Sequence, residues 1–275
     1  MTEKILQKIG RSKKYILSQP GFKPVIAVIA GSGLGNMKEE FTVIKSLQYS
    51  KIPYFAETTV SGHAGELNLC SHKGADFIIL NGRFHIYEGH DFEDIIYPVR
   101  VMKALGIEKI IITAAAGGIN EKYSQGDIVF LKDHINFTGN NPMTGPNINE
   151  LGGRFFDMDG VYDVRLRKTA VKAAKKHKIR NHEGVYFGVT GPCYETAAEV
   201  KAYGILGGDI VGMSVVYETI AAAHMKMKVL GIAYVSNMAA GIDKNGFSHK
   251  AVLESGKKTG TKIIKIIKEV LEASS

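Results

Sequence analysis

Short β-branched runs alternate with stretches of helical periodicity along nearly the whole 275-residue chain, and that alternation narrows the accessible folds more than any other feature. Residues 25–30, 67–71, 77–80, 109–114, 127–131, 184–189, 209–213 and 229–235 read as strands, being short and rich in Val and Ile. Residues 2–18, 92–105, 162–178, 196–206, 215–225 and 248–271 carry apolar side chains at helical spacing and read as helices. Such alternation implies an α/β fold with its sheet covered by helices on both faces. No Pro-, Ser- or Gly-rich tract resembling a linker divides the chain, so residues 1–275 are expected to form a single domain. The stretch 138–160, rich in Asn, Gly and Pro, is too long for an ordinary connection and reads as a lid or a subunit-contact loop.

A net charge of +8 raises the question of nucleic acid, but much of the excess Lys and Arg falls in 165–180 and 257–268, interleaved with Ala, Val and Ile as solvated faces of amphipathic helices. No helix-turn-helix, zinc-finger or aromatic RNA-binding signature accompanies it, so nucleic acid is not expected as a partner. The charge would instead attract small anionic substrates. Apolar runs such as 25–30 and 110–116 fall far short of the ~20 residues of a membrane span, and no membrane association is expected. The amino terminus lacks the apolar core of a signal peptide, which makes the expected location cytoplasmic. Cys70 and Cys193 stand outside any Cys-x-x-Cys or Cys/His pattern, so reduced thiols and no structural metal are expected.

The run GRFHIYEG, residues 82–89, directly follows the apolar stretch 77–80. On an extended segment Arg83, His85 and Tyr87 leave from one face, at the carboxyl end of a strand, where open α/β sheets bind ligands. A cation, an imidazole and a phenol together suit an oxyanion joined to a polyhydroxylated body. The Gly-rich turn AGSGLG, residues 30–35, follows another strand, and its backbone N–H groups can hold phosphate with Ser32 adding a hydroxyl. Its third glycine misses the dinucleotide fingerprint by one position, and it lacks the Lys-Ser/Thr end of a P-loop; Gly256-Lys257-Lys258 fails that motif as well. Other strand ends carry small residues with one or two polar groups: 114–118, GPCYETAAE (191–199), GMS (212–214) and Ser236-Asn237. Taken singly each has an ordinary explanation, with Glu195 as a first-turn helix charge, Met213 as core filler and Asn237 as a turn residue.

AGSGLG, SGHAG (61–65), GRFHIYEG, TAAAGG (113–118), GPCYET, VGMS (211–214) and SNMAAGI (236–242) stand in the order and spacing of the trimeric, low-molecular-mass purine nucleoside phosphorylases, which the chain resembles from about residue 25 to about residue 253. The resemblance implies a nucleoside phosphorylase-like single domain with a central mixed β-sheet. It also implies cleavage of the N-glycosidic bond of purine (deoxy)ribonucleosides by inorganic phosphate, without metal or organic cofactor. Position by position, it implies a phosphate pocket of Ser32, Arg83, His85, the backbone N–H of Ala115, and Ser214, with His63 near the phosphate entrance. Tyr87 and Met213 would flank the ribose and His249 would reach the 5′-hydroxyl. Tyr194 would pack on the purine, Glu195 would accept from N1–H, and Asn237 would give a hydrogen bond to O6 and receive one from N7. On this reading Asn237, Glu195 and His85 carry the catalysis. Phe155, in GGRF (152–155), would close the pocket of a neighbouring subunit in a homotrimer.

An amide at 237 has both donor and acceptor, which favours 6-oxopurines over adenosine. It argues, with His249, against the related methylthioadenosine phosphorylases, which need acceptors for a 6-amino group and an apolar pocket for a methylthio group. A metal-dependent nucleoside hydrolase needs a carboxylate cluster that the acidic stretch 91–94 does not supply. A non-catalytic nucleoside-binding protein is the remaining alternative. The chain also departs from its relatives: Val215 and Tyr217 stand where Thr and Pro are common, Cys193 where many have Ser, and Ser61 where Pro is frequent.

Overall fold

Residues 2–17, 21–58, 64–242 and 249–274 are described by the computed structural model. Among them the elements follow in the order α1 (Thr2–Ile16), β1 (Ile26–Ala30), β2 (Thr42–Gln48), β3 (Glu66–His72), β4 (Ala75–Asn81), α2 (Phe92–Ala104), β5 (Lys109–Gly118), β6 (Ile128–Asn136), α3 (Val164–Lys176), β7 (Asn181–Gly188), α4 (Ala197–Ile205), β8 (Ile210–Gly212), α5 (Val216–His224), β9 (Lys228–Met238) and α6 (His249–Glu272). The strands form one mixed sheet ordered β2-β3-β4-β1-β5-β8-β7-β6-β9, in which β9 also pairs with β5. Five strands, β5, β8, β7, β6 and β9, therefore close on one another, and β1, β4, β3 and β2 extend from β5 as an open wing. β1 runs parallel to β4 and β5, and β5 parallel to β9; the pairs β2–β3, β3–β4, β5–β8 and β6–β9 are antiparallel.

The period-2 geometry of a strand sorts the core into two layers. On β1, Ala27 and Ile29 face a cluster containing Ile9 of α1, Ile96 and Val99 of α2, and Ile220 of α5. Ile26, Val28 and Ala30 face the opposite cluster, with Leu166 and Ala170 of α3 and Ile263 and Ile267 of α6. Helices thus cover both faces, as the alternating pattern requires. Two of their starts are fixed by side-chain caps that each contribute ~1 kcal/mol: Asp91 accepts from the Asp94 N–H at 2.8 Å for α2, and Asp163 from the Leu166 N–H at 2.8 Å for α3. Thr196 and Glu199 form a reciprocal capping box at α4.

Several expected boundaries move. The third helix starts at Val164 rather than 162 because Asp163 caps it, and Tyr162 is buried in a bridge to Val229 of β9. β2 escapes the sequence pattern because it is an exposed edge whose alternation is broken by a register shift between Val43 and Lys45. β5, β6 and β9 run past their expected ends to Gly118, Asn136 and Met238. Ala and Gly are poor strand formers, yet residues 114–118 stay extended because β9 pairs along them and β8 pairs with Gly117 and Gly118. The stretch 138–160 holds no helix or strand and is pinned by Met143, Ile148, Leu151 and Phe156 packed against the core. Among the described residues no helix is long and apolar enough to cross a membrane.

Candidate active site

The carboxyl ends of β1, β4, β5, β8 and β9 meet at a cavity of about 120 Å³. It is lined by Ser32, Arg83, His85, Tyr87, Ala115, Tyr194, Glu195, Met213, Ser214 and Asn237, which are ten of the residues singled out from sequence. His63 lies outside the described residues. His249 opens α6, and its side chain lies outside what the structure describes. Phe155 stands apart from this cavity, 93% exposed, on a separate depression with Asp133, His134 and Phe156.

The Gly-rich turn is built by close backbone approach. Gly31 donates its N–H to Thr113 Oγ1 at 2.8 Å, and Tyr234 donates its hydroxyl to the Ser32 carbonyl at 3.1 Å. Gly33 has φ of 85°, and a Cβ there would lie 2.4 Å from the Cα of Gly256 on α6. Gly256 is thus a packing surface for the turn. Only a short 3₁₀ turn, Met37–Glu40, follows, so the turn's own amides and Ser32 are the donors on this side. Asn81 at the end of β4 donates to the Gly35 carbonyl at 2.8 Å and ties the turn to the neighbouring loop.

That loop begins at Gly82, whose carbonyl accepts from the buried Tyr49 hydroxyl at 2.9 Å. Extended geometry ends at His85, because Ile86–Glu88 form a 3₁₀ turn. The expected alternation therefore covers Arg83 and His85 only, and Tyr87 reaches the cavity by another route, its ring stacked on His85 with centroids 4.6 Å apart. Arg83 is buried, donating from Nη2 to the Thr113 carbonyl with Nε 3.6 Å from Glu218 Oε1. Glu88 Oε1 holds His85 twice, at 2.9 Å from its backbone N and 2.8 Å from Nδ1. Burial lowers the imidazole's proton affinity and Arg83 lowers it further, against the opposing pull of Glu88 and Glu218. A neutral ring that gives its Nδ1 proton to Glu88 presents an unprotonated Nε2.

After β8, Val215 takes φ 72° and ψ −49°, and the Val216 N–H bonds the Ser214 carbonyl at 2.8 Å. This is a γ-turn centred on a buried β-branched residue, a strained conformation of the kind that marks functional sites. Ser214 is held by Tyr186, whose hydroxyl lies 3.2 Å from the Ser214 N and 3.4 Å from its Oγ. On β9 a register shift opposite Ala116 and Gly117 forms a bulge at Ser236, and such bulges re-aim side chains. The Ser236 hydroxyl lies 2.7 Å from Asn237 Oδ1 and 3.1 Å from the Ala116 carbonyl, while Asn237 Nδ2 donates to the Met238 carbonyl at 3.1 Å.

Glu195 precedes the Thr196 cap, so it is no first-turn helix charge; Glu199 fills that place. Its carboxyl lines the cavity and is pushed above the usual carboxylate range by burial. Thr113, Glu88, Tyr186, Glu218 and Ser236 were not anticipated as site residues. Glu88 and Glu218 did stand within quoted motifs, GRFHIYEG and the segment after VGMS, but only the fold shows that both carboxylates are buried. Among the described residues no group of three or more His, Cys, Asp or Glu side chains is placed to hold a metal ion. The cavity instead sets one guanidinium and three serine hydroxyls beside a carboxamide, a carboxylate and aromatic rings, groups suited to an anion and a polar heterocycle.

The phosphorylase superfamily profile matches residues 25–272. Purine nucleoside phosphorylase 1 of Geobacillus stearothermophilus is 46% identical over 263 residues, 96% of each chain. The chain belongs to the purine nucleoside phosphorylases. Among solved structures, isoform 2 of the Schistosoma mansoni purine nucleoside phosphorylase in complex with cytosine and ribose-1-phosphate superposes with a TM-score of 0.91 at 39% identity, covering 96% of this chain and 95% of that one. The schistosome enzyme in complex with hypoxanthine gives 0.90 at 34% identity, covering 97% of both. The family's fold, with its central mixed sheet and helices on both faces, is the one described above.

Proposed function

We propose that the chain catalyses reversible phosphorolysis of 6-oxopurine ribo- and deoxyribonucleosides, inosine and guanosine, to the free base and pentose 1-phosphate. The reading rests on the convergence of an anion-binding set, Ser32, Arg83, Ala115 and Ser214, with a heterocycle-binding set, Tyr194, Glu195 and Asn237, on one cavity. A phosphate oxygen attacks C1′ as the C1′–N9 bond breaks, and the bonding pair passes into the purine. Bound phosphate stabilises the oxocarbenium-like sugar, and Asn237 stabilises the purine by donating to O6 and accepting from N7 as that nitrogen takes a proton from water, which the proton given up by hydrogen phosphate replaces. Glu195 accepts from N1–H, Tyr194 stacks on the ring, and Tyr87 and Met213 flank the ribose. His85, neutral and with Nδ1 committed to Glu88, acts as an acceptor toward the hydroxyl of hydrogen phosphate. For His63 and His249, which lie outside what the structure describes at the side-chain level, the family resemblance alone suggests roles at the phosphate and the 5′-hydroxyl. The proposed reaction calls on no metal or organic cofactor, with phosphate as the nucleophile. The exposed Phe155 closes the pocket of a neighbouring copy in a cytoplasmic homotrimer that serves purine salvage.

A panel of inosine, guanosine and adenosine run with and without phosphate tests this. Hypoxanthine released from inosine only when phosphate is present is the expected result. Release without phosphate, absence of turnover, or equal kcat/KM for adenosine and inosine would contradict it. Phe155→Ala should raise the nucleoside KM, and a fully active monomer would remove the trimer from the proposal.

A further inference from the structure

We propose that Glu218 is the positioning residue for Arg83, acting through the guanidinium to set phosphate affinity rather than touching substrate. This rests on the phosphorolysis reading, in which Arg83 is the cation that binds phosphate. Glu218 lies in the first turn of α5, just past the strained Val215, and its side chain is 4% exposed against 3% for Arg83. A carboxylate taken this far out of water is destabilising unless a cation faces it. The cation it faces is the one that lines the cavity: Glu218 Oε1 stands 3.6 Å from Arg83 Nε, while Arg83 Nη2 is given to the Thr113 carbonyl midway along β5. A hydrogen bond at Nη2 and an ion pair at Nε together restrain the plane of a rigid fork. A guanidinium so held meets a tetrahedral oxyanion without first losing rotamer freedom, which is the usual source of gain from preorganisation.

The carboxylate is also part of the cavity's charge balance. The groups acting on the His85 imidazole are Glu88 beside it, Arg83 and Glu218, and Glu218 favours its protonated form. Removing the charge at 218 therefore lowers the proton affinity of His85 further. An α5 anchor without a role in the reaction would, when altered, weaken the use of phosphate and nucleoside alike rather than phosphate selectively.

Glu218→Gln keeps size and polarity and removes the charge. The parent's phosphate-dependent turnover is measured first, and its absence would defeat the phosphorolysis reading itself, a failure separate from that of Glu218. With turnover established, Glu218→Gln should raise the phosphate KM roughly tenfold, the scale of one charge-assisted contact, and leave the inosine KM within about twofold. It should also shift the acid limb of the kcat/KM profile for phosphate to lower pH. In the Arg83→Ala background the same change should do nothing more to phosphate use, because the two residues act as one unit. A parental phosphate KM, an equal loss for both substrates, an unmoved acid limb, or a full extra loss on top of Arg83→Ala would overturn the proposal. If Glu218→Gln does not fold, Glu218→Asp, which keeps the charge and withdraws it by one methylene, should show the same selective rise in phosphate KM. Failure of both to fold would make Glu218 a structural anchor and refute the assignment.

Discussion

Replacing Gly33 by alanine tests how the Gly-rich turn is held. Two costs act there and both can be read from the geometry. At φ 85° an L-residue with a Cβ pays for the left-handed region, ~1–2 kcal/mol. The new Cβ would also sit 2.4 Å from Gly256 Cα and 2.8 Å from its carbonyl carbon, both backbone atoms, so the turn and α6 must separate. Overpacking of that kind costs ~1–3 kcal/mol. The sum, ~2–5 kcal/mol, corresponds to a fall in Tm of ~4–20 °C at the ~2–4 °C per kcal/mol typical of chains near this size. Gly74→Ala is the internal control: it has φ 84° with nothing within 4 Å of the built Cβ, so it carries the backbone cost alone. Thermal unfolding of the two variants should rank Gly33→Ala clearly below Gly74→Ala. Phosphate KM should rise only in the former, since Ser32 is carried on the displaced turn. Equal Tm values for the two variants, or a destabilised Gly33→Ala with a parental phosphate KM, would refute the account of the turn given above.

Asn237→Asp removes the amide donor and should cut kcat/KM for inosine roughly a hundredfold or more while favouring adenosine; unchanged inosine turnover would remove Asn237 from the base contacts. Arg83→Lys keeps a charge but loses the fork, and should lower kcat/KM for phosphate ~10–100-fold in steady-state assays with little change in inosine KM; parental phosphate kinetics would contradict the role given to the guanidinium. Burial holds the imidazoles of His85, His134 and His224 below the ordinary value of ~6.5. As pH falls the unfolded chain takes up these protons first, so their contribution is undiminished above ~6.5 and is lost as pH drops toward and through the lower folded-state values. The urea midpoint should accordingly be lower at pH 5 than at pH 7, with His134→Asn narrowing the gap; equal midpoints for the parent would count against the burial effect.

What the sequence revealed of this site, and what it hid, divides along a physical line. Arg83 and His85 were legible because an extended segment behind a buried strand puts alternate residues on one face. Tyr87 does line the cavity, but a 3₁₀ turn and not the expected strand alternation delivers it. The fold class followed from alternation, yet β2 was missed because an exposed edge with a register shift has no pattern to find. The tail of β5 reads only as a strand end because Ala and Gly prefer no strand of their own, and pairing on both sides is what keeps it straight. Ser236, Tyr186 and Glu218 were hidden for a different reason. Tyr186 and Glu218 act on polar side chains distant in the chain, a partnership with no local signature, and Ser236 bonds its own neighbour Asn237 at a bulge that only the pairing of β9 with β5 reveals.

The bulged pairing of β5 with β9 sets Ala115 opposite Tyr234 and Gly117 opposite Asn237. In the proposed reaction, the amide that grips the nucleophile and the amide that steadies the departing base thus lie on neighbouring strands of a ladder closed on itself, and the backbone becomes a fixed ruler between them. Such a span needs no hinge to set it. Substitutions at the tip of β9 could retune which heterocycle is accepted while leaving the nucleophile's seat on β1, β4 and β5 where it is.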